Sequence, residues 1–385
     1  MRDSSGTISR SFPLRLEQAA RRSDGGHTGT ELSRLVMQGK RLRLRPGVYI
    51  TPEQWLASPP WIRHQAATAA TALESSRAVF CRETALILHG LPLLAAPDRV
   101  HVRAETQGSA RRVPAQPLTG KLSRSGIERL LFRYTPASER DLEPLPVQRF
   151  EHARMDGRTR PQMREALARG EAVLPTVTVD AAVLPVAPGP ATGYCVEPLE
   201  FTVIDTLSRT SPERAVVTLD AALRELNSAC LDPKEALRNM ERHLPSLAAR
   251  RRWGTVLSFA DARAESPGES LSRWRIAELG FLPPDLQAEL HLDVGMARVD
   301  FIWEEAGVVG EFDGKVKYMD PELLQGGSTS QVVYQEKLRE DAIRRSGRMM
   351  VRWGWDELRR PERLRGRLKQ AGVPVRTSSP KIVVV

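Results

Sequence analysis

The segment from Ala297 to Gly314, ARVDFIWEEAGVVGEFDG, constrains the fold of this chain more than any other. Two short apolar runs flank the turn sequence Glu-Glu-Ala-Gly, which predicts two neighbouring strands at 299–303 and 308–313. Strands this apolar are typical of the interior of a sheet. The first nevertheless carries Asp300, and the second ends in Glu311 and Asp313. The segment therefore predicts carboxylates held within a buried part of a sheet.

These carboxylates indicate metal-dependent chemistry. Alternate residues of a strand share a face, so Glu311 and Asp313 are expected to point the same way. Carboxylates on adjacent strands repel one another unless a proton or a cation lies between them. Mg²⁺ or Mn²⁺ takes such oxygen ligands and acts on phosphate substrates. The competing interpretation is an edge hairpin with solvated charges, and the apolar neighbours Phe301 and Val309 favour the buried site.

The surrounding sequence predicts a small mixed sheet flanked by helices, in the order helix, strand, strand, helix, strand, helix. The first helix begins at Ser266-Pro267-Gly268-Glu269 and ends at Gly280. Glu269 has two open interpretations: a ligand that completes the metal site, or the glutamate of a capping box. Gln287 follows this helix, where a further sheet strand is expected to begin, and is a candidate supporting residue. The later elements are helix 331–346, strand 348–353 and a basic helix at 356–371.

This C-terminal region resembles the PD-(D/E)XK nuclease fold, in the branch close to Vsr-like mismatch endonucleases. The resemblance rests on Asp300, on the E-x-D-G of Glu311 to Gly314, and on EKLREDAIRRSGRMMVRWGWDEL. It implies that Asp300 and Glu311 are the two metal-binding acids. Asp313 then stands where the family usually has lysine, so it is either a third ligand or a catalytic substitute. Lys315 or Lys317 would supply the positive charge from beyond the strand.

The N-terminal region predicts a small DNA-binding domain. Helices are expected at 14–22 and 31–38, the second capped by Thr30, followed by the alternating hairpin KRLRLRPGVYI. This order is typical of a winged helix-turn-helix, whose second helix enters the major groove. The alternative is a solvated amphipathic hairpin. In the DNA-binding interpretation one helix residue and the hairpin's arginine face contact phosphates: Arg34, Arg41, Arg43 and Arg45.

The same region resembles the N-terminal domain of AbiEi-type antitoxins. The matching sequences are the helix start Thr30-Glu31-Leu32 and GKRLRLRPGVY from Gly39 to Tyr49, and CRETALILHGLPL from Cys81 to Leu93 continues the likeness. VIDTLSRTSPERAVVTLDAALRE from Val203 to Glu225 resembles a segment common in the multidomain relatives, although Phe201-Thr202 replaces the usual Arg-Thr pair before it. The resemblance implies an antitoxin or repressor with a cognate toxin protein as partner. His89 is interpreted as a core histidine bonded to the backbone, and Asp205 and Asp220 as caps or surface charges.

Net charge and cysteine content bound the environment. A formal charge of +10 and a pI of about 9.9 favour a nucleic-acid partner. Three widely spaced cysteines form no zinc pattern or disulfide framework, which suits a reducing cytoplasm. We expect neither a signal peptide nor a membrane span. Further DNA-backbone contacts are expected from Arg339, Arg344 and Arg363, the last within the basic run 359–369.

The sequence thus predicts a multidomain α/β protein. Its domains are a winged helix-turn-helix at 1–58, a middle α+β domain at 59–258 and a nuclease-like domain at 259–385. The function expected is a cytoplasmic DNA-binding protein with a Mg²⁺-dependent endonuclease domain, in a defence or toxin–antitoxin setting. The alternative is an antitoxin or transcriptional repressor whose nuclease fold is inactive.

Overall fold

The computed structural model describes residues 14–20, 27–104, 109–134, 136–151, 165, 169, 176–228, 231–241, 244, 246–314 and 329–376, with the backbone alone for 329–336. Helices and several separate sheets alternate along the chain, so the predicted mixed α/β class is confirmed. The chain divides into two compact units, one ending at Thr206 and the other beginning at Leu207. The three predicted domain boundaries stay a prediction. Within the described part of the chain, no helix is both long and apolar enough to cross a membrane.

The first unit begins with two short strands where a helix was expected. Strand β1 (Leu14–Arg15) pairs with β10 (Val186–Ala187), and β2 (Glu17–Gln18) pairs with β4 (Val48–Ile50). The prediction of a helix at 14–22 is therefore wrong. Leu14 and Leu16 are buried while Arg15 is exposed, which is the period of two that places alternate residues on opposite faces of a strand.

The second predicted helix and the hairpin are present. Helix α1 (Thr28–Met37) is capped by His27 rather than Thr30, because the His27 side chain accepts the backbone N–H of Gly29. Strands β3 (Leu42–Arg45) and β4 form the hairpin. Gly47 has a φ of +75° in its turn, a conformation that favours glycine. With β2 they form a three-stranded sheet in the order β2-β4-β3.

The rest of the first unit is built on a six-stranded sheet in the order β7-β8-β6-β5-β11-β9. Its strands are β5 (Val79–Phe80), β6 (Val100–Arg103), β7 (Arg112–Val113), β8 (Val147–Phe150), β9 (Val177–Val179) and β11 (Tyr194–Val196). The described helices are α2 (Pro52–Ala57), α3 (Pro60–Glu74), α4 (Arg82–Leu88), α5 (Arg124–Arg133) and α6 (Leu199–Leu207), which reaches the second unit. The alanine-rich α3 is buried over most of its length.

Buried His64 on α3 gives this unit a pH dependence. Its Nε2 lies 3.1 Å from the carbonyl oxygen of Arg99, while its Nδ1 has no partner among the described residues. Burial lowers the pKa of His64 to about 3. The unfolded chain therefore binds more protons below pH 6.5, and stability falls as the pH falls.

We expect the free energy of unfolding of the first unit to fall by about 2 kcal/mol from pH 7 to pH 5 through His64 alone. Hydrogen–deuterium exchange of α3 peptides across this range would measure it. His64→Gln keeps a donor for the Arg99 carbonyl and should flatten the profile by that amount. The exposed His291→Gln should leave the profile unchanged. An equal slope in wild type and His64→Gln would contradict the assignment.

The second unit contains a four-stranded sheet and seven described helices. The sheet order is β12-β13-β14-β15, with β13 (Gly295–Trp303) and β14 (Val308–Phe312) inside, as predicted. The edge strand β12 (Asp285–Leu292) lies where a strand was expected to begin near Gln287, and β15 (Met349–Trp353) is parallel to β14. The helices are α7 (Pro212–Asn227), α8 (Pro233–Asn239), α9 (Leu247–Phe259), α10 (Pro267–Glu278), α11 (Thr329–Arg345), α12 (Trp355–Arg359) and α13 (Pro361–Gln370).

The last basic helix was predicted as one element and is two. Helix α12 ends at Arg359, and Pro361 starts α13. Proline has no backbone N–H to continue a helix and disfavours helical φ/ψ in the residue before it, which here is Arg360 with ψ +78°.

Candidate active site

Helix α10 brings Glu269 to the sheet. Ser266 caps the helix, and its Oγ accepts the backbone N–H of Glu269 at 3.2 Å. Gly268, in the first turn, packs against the ring of Phe312 at the end of β14. A Cβ at position 268 would lie 1.9 Å from Phe312 Cε1, so only glycine permits this approach. The first turn of α10 is thereby held beside β14.

Glu269 performs the capping role and also faces the predicted acids. Its Oε1 accepts the Ser266 hydroxyl at 2.7 Å, and its Oε2 accepts the backbone N–H of Glu265 at 2.8 Å. The same Oε2 accepts the side-chain amide of Gln287 at 2.8 Å. This side chain, which is only 7% exposed, therefore bonds the cap of its own helix, while its role as a metal ligand stays a prediction.

Gln287 connects Glu269 to Asp300. Its Nε2 lies 2.8 Å from Glu269 and 3.5 Å from Asp300 Oδ1. Gln287 has a φ of +52° inside strand β12, a conformation rare for residues other than glycine and costing on the order of 1–3 kcal/mol. Such strain is typical of functional sites, where the surroundings hold a side chain in a required position.

Asp300 carries the largest electrostatic perturbation of this cluster. Burial, followed by the negative charge of Glu269, raises its pKa to about 7. Its Oδ2 accepts the backbone N–H of Phe312 at 2.9 Å, which opposes part of that rise. Glu269 is buried and Asp300 half-buried, with an amide between them, and neither carboxylate forms an ion pair with any residue that the structure describes. That is the condition in which a proton or a cation is bound most favourably.

Glu311 is placed next to this pair but is already neutralised. Its Oε1 accepts Arg339 at 2.6 Å, and its Oε2 accepts Arg352 at 3.0 Å. Arg352 lies directly opposite Glu311 in the β14–β15 register and also forms an ion pair with Glu340 at 3.3 Å. The Glu311 carboxylate can bind a cation only when these guanidinium groups move away.

The remaining predicted residues lie at or beyond the end of β14. Asp313 is half-buried, and its backbone N–H donates to the Trp353 carbonyl at 2.8 Å. Lys315 and Lys317 lie outside the described residues. Among the described residues, no group of three His, Cys, Asp or Glu side chains is arranged to hold a metal ion. The carboxylate oxygens of Glu269 and Asp300 are nevertheless donors that suit Mg²⁺, which takes oxygen ligands and keeps several waters.

The arginines predicted to contact DNA in the second unit form intramolecular ion pairs. Arg344 bonds Glu340 at 2.5 Å, and Arg363 bonds Asp356 at 2.5 Å. Elsewhere in α13, Arg365 pairs with Glu362 and Arg367 with Glu357. These exposed pairs contribute little to stability, so a phosphate could replace their carboxylate partners at small cost.

The arginines of the N-terminal hairpin are not a single exposed face. Arg41 pairs with Glu17 at 2.8 Å, and Arg43 bonds Ser33 and Gln116 at 3.2 and 3.3 Å. Arg45 is only 6% exposed, because the ladder register shifts between Arg43 and Arg45 and its side chain turns toward helix α3. Arg34 is exposed on α1.

Three other residues from the sequence analysis are also placed. His89 Nε2 lies 2.7 Å from the Glu197 carbonyl, as expected for a core histidine. The interpretation of Asp205 and Asp220 as caps or surface charges is wrong. Asp205 is buried and bonds Arg103, while Asp220 is fully buried and bonds Arg273 at 2.8 Å. Buried carboxylates require such partners.

Sequence reasoning undervalued Gln287 and missed Arg352. A strand was expected to begin near Gln287, but the pairing of this residue with an acid on the neighbouring strand depends on the β12–β13 register, which the sequence does not give. Arg352 was visible within MMVRW, but its pairing with Glu311 depends on a parallel register between strands more than 35 residues apart.

Comparison with known proteins yields only distant relatives. The chain is 31% identical over 160 residues to two uncharacterised proteins of Mycobacterium tuberculosis, from two strains. The match covers 40% of this chain and 58% of each relative. No family model matches the chain. No solved structure matches it.

Proposed function

We propose that the second unit is a metal-dependent nuclease that hydrolyses phosphodiester bonds in DNA. The observation that carries the proposal is the convergence of Glu269 and Asp300 from a helix and a central strand, joined by strained Gln287. A buried and a half-buried carboxylate that form no ion pair with any described residue favour a divalent cation. A cation held there would acidify water and stabilise charge developing on the phosphate.

The residues of the chain have separate roles in this proposal. Glu269 and Asp300 would hold the cation, with Gln287 keeping the two carboxylates at a fixed separation. Arg339 and Arg352 bond the Glu311 carboxylate. They would bind the phosphate of the substrate in its place, since guanidinium groups bind both carboxylate and phosphate oxygens. Asp313 takes the position at which the resembled fold has lysine, so proton transfer must come from another group.

A second candidate function is a DNA-binding antitoxin or repressor with an inactive nuclease fold. The observation in its favour is that Glu311 is neutralised by two arginines while Asp313 replaces the lysine. Such a protein would bind an operator without cleaving it, and a cognate toxin would be its protein partner. In this function, Arg34, which is exposed on α1, would contact the phosphates of the operator DNA.

Cleavage assays would separate the two functions. We expect the full-length protein to cut supercoiled, linear or mismatched DNA with Mg²⁺ or Mn²⁺. Asp300→Asn should reduce the rate by about 100-fold or more, because metal electrostatics contribute several kcal/mol to such reactions. Asp293→Asn is the matched control, since Asp293 is 58% exposed in the β12–β13 turn.

Metal binding should be measured in parallel, by calorimetry with Mn²⁺. Asp300→Asn should weaken binding, and Asp293→Asn should not. If no protein cleaves any DNA while wild type and Asp300→Asn retard the same fragment in a gel, the nuclease proposal fails and the repressor is favoured.

A further inference from the structure

The first unit contains a cavity of about 400 Å³ lined by strand β3, the end of helix α3, strand β8 and the segment after β7. Five of its lining residues are arginines: Arg43, Arg45, Arg77, Arg103 and Arg149. Glu74 is the carboxylate among the lining residues that the structure describes. The volume of the cavity lies in the range of small-molecule sites.

Charge in this cavity is unbalanced. Arg103 adds no excess positive charge to the cavity, because Glu197 and Asp205 bond its guanidinium group. Among the described lining residues, the other four arginines are accompanied by one carboxylate, Glu74, whose Oε2 lies 4.0 Å from Arg45 Nε. A concave wall with this excess of positive charge attracts an anion.

Two arginine nitrogen atoms in the wall lack acceptors. Arg45 Nε bonds Thr71 at 3.0 Å and its Nη1 bonds the Leu44 carbonyl at 2.8 Å. Its Nη2 and the Nε of Arg43 are buried with no hydrogen-bond partner among the described residues. Burial lowers the pKa of Arg45 to about 10, as expected for a desolvated cation with incomplete compensation. A buried charged donor without an acceptor is unfavourable, so the positive charge on this side of the cavity is incompletely compensated by the described residues.

The rest of the wall indicates the ligand's other part. Val102, Val113 and Val147 line the cavity beside the arginines. Guanidinium groups bind phosphate oxygens in a forked geometry, and apolar walls suit a planar ring. A single nucleotide combines the two, whereas a double helix is too large for this volume.

We propose that the cavity binds a phosphate-bearing small molecule of mononucleotide size. This goes beyond the nuclease proposal and does not rest on it, because every lining residue belongs to the first unit. Arg43 and Arg45, which the sequence predicts to contact DNA, would thus bind a different phosphate ligand. Arg41 does not line the cavity.

Calorimetry on the full chain would test the proposal with adenosine monophosphate, guanosine monophosphate, inorganic phosphate and adenosine. We expect a nucleotide to bind more tightly than phosphate, and adenosine to bind least. Arg149→Gln should weaken nucleotide binding by about 10-fold, which is typical of losing one charged contact. Glu74→Gln should tighten it, because a repelling carboxylate is removed. Arg41→Gln, on the same hairpin but paired with Glu17, is the control and should change nothing.

A single-stranded oligonucleotide of twelve residues distinguishes the source of the phosphate. Binding of the oligonucleotide alone would overturn the proposal in favour of nucleic acid. Absence of binding by every probe would overturn it as well. So would equal affinities in Arg149→Gln, Glu74→Gln and Arg41→Gln, since binding would then lie elsewhere.

Discussion

Replacing Arg103 by methionine is expected to lower the free energy of unfolding of the first unit by about 3–5 kcal/mol. Arg103 is almost fully buried on β6 and bonds two buried carboxylates. It bonds Glu197 through two nitrogen atoms and Asp205 Oδ2 at 3.1 Å. Its Nη1 also donates to the Glu151 carbonyl at 2.9 Å.

The expected loss is electrostatic rather than a loss of packing. Glu197 is completely buried, and burial raises its pKa while Arg103 opposes that rise. Without Arg103, the two carboxylates would share a site in which Arg82 lies 3.4 Å from Asp205, and Glu197 would lose its bidentate guanidinium partner. They would then take up protons or admit water, and both changes cost stability.

Hydrogen–deuterium exchange of β6 and α4 peptides would measure this effect. Arg99→Met is the matched control, because Arg99 pairs with exposed Asp98 just before the same strand, and it should change stability by less than about 1 kcal/mol. Adding Glu197→Gln and Asp205→Asn to Arg103→Met should restore part of the loss. A triple variant no more stable than Arg103→Met would show that the charges are not the cause.

Gly268→Ala is expected to destabilise the second unit by about 1–3 kcal/mol and to disturb the candidate site. The added Cβ would lie 1.9, 2.2 and 2.4 Å from three atoms of the Phe312 ring. The ring packs edge-on against Trp355, with centroids 5.3 Å apart, so it cannot withdraw without moving a second aromatic side chain. The backbone N–H of Phe312 bonds Asp300, which connects this contact to the acids.

Gly366→Ala provides the opposite expectation within the same unit. Gly366 lies inside helix α13, and a Cβ there would meet nothing within 4 Å. Alanine should stabilise the helix by about 1 kcal/mol, because glycine loses more backbone entropy on folding. Urea unfolding followed by tryptophan fluorescence would compare the variants. If Gly268→Ala remains equally costly in a Phe312→Ala background, the ring contact is not its cause.

The two proposals give each unit a phosphate-containing ligand or substrate, but the charges that would bind it differ. In the second unit, we propose that Glu269 and Asp300 bind a cation that would act on a phosphodiester. In the first unit, we propose that the arginines lining the cavity bind the phosphate itself. Each proposal rests on uncompensated charge in a desolvated place, which is costly unless a ligand supplies the opposite charge.

Local patterns determined much of the second unit. Ser266 and Gly280 delimit α10 as predicted, because capping and left-handed residues act over one helical turn. The apolar runs around Asp300 and Glu311 predicted the two inner strands, since burial on both faces requires such composition. The same method failed at 14–18, where leucines at alternate positions fitted a helix and a strand equally in so short a segment.

The sequence by itself determined the class of fold, the ends of helix α10 and the presence of acids on inner strands, because these follow from periodicity and from contacts within a few residues. Only the tertiary structure decided which charges meet. Glu311 opposite Arg352, Gln287 between two acids, and Arg45 in a cavity rather than on an open face all join residues distant in the chain. Strand register and burial set these pairings, and neither is encoded in the local pattern.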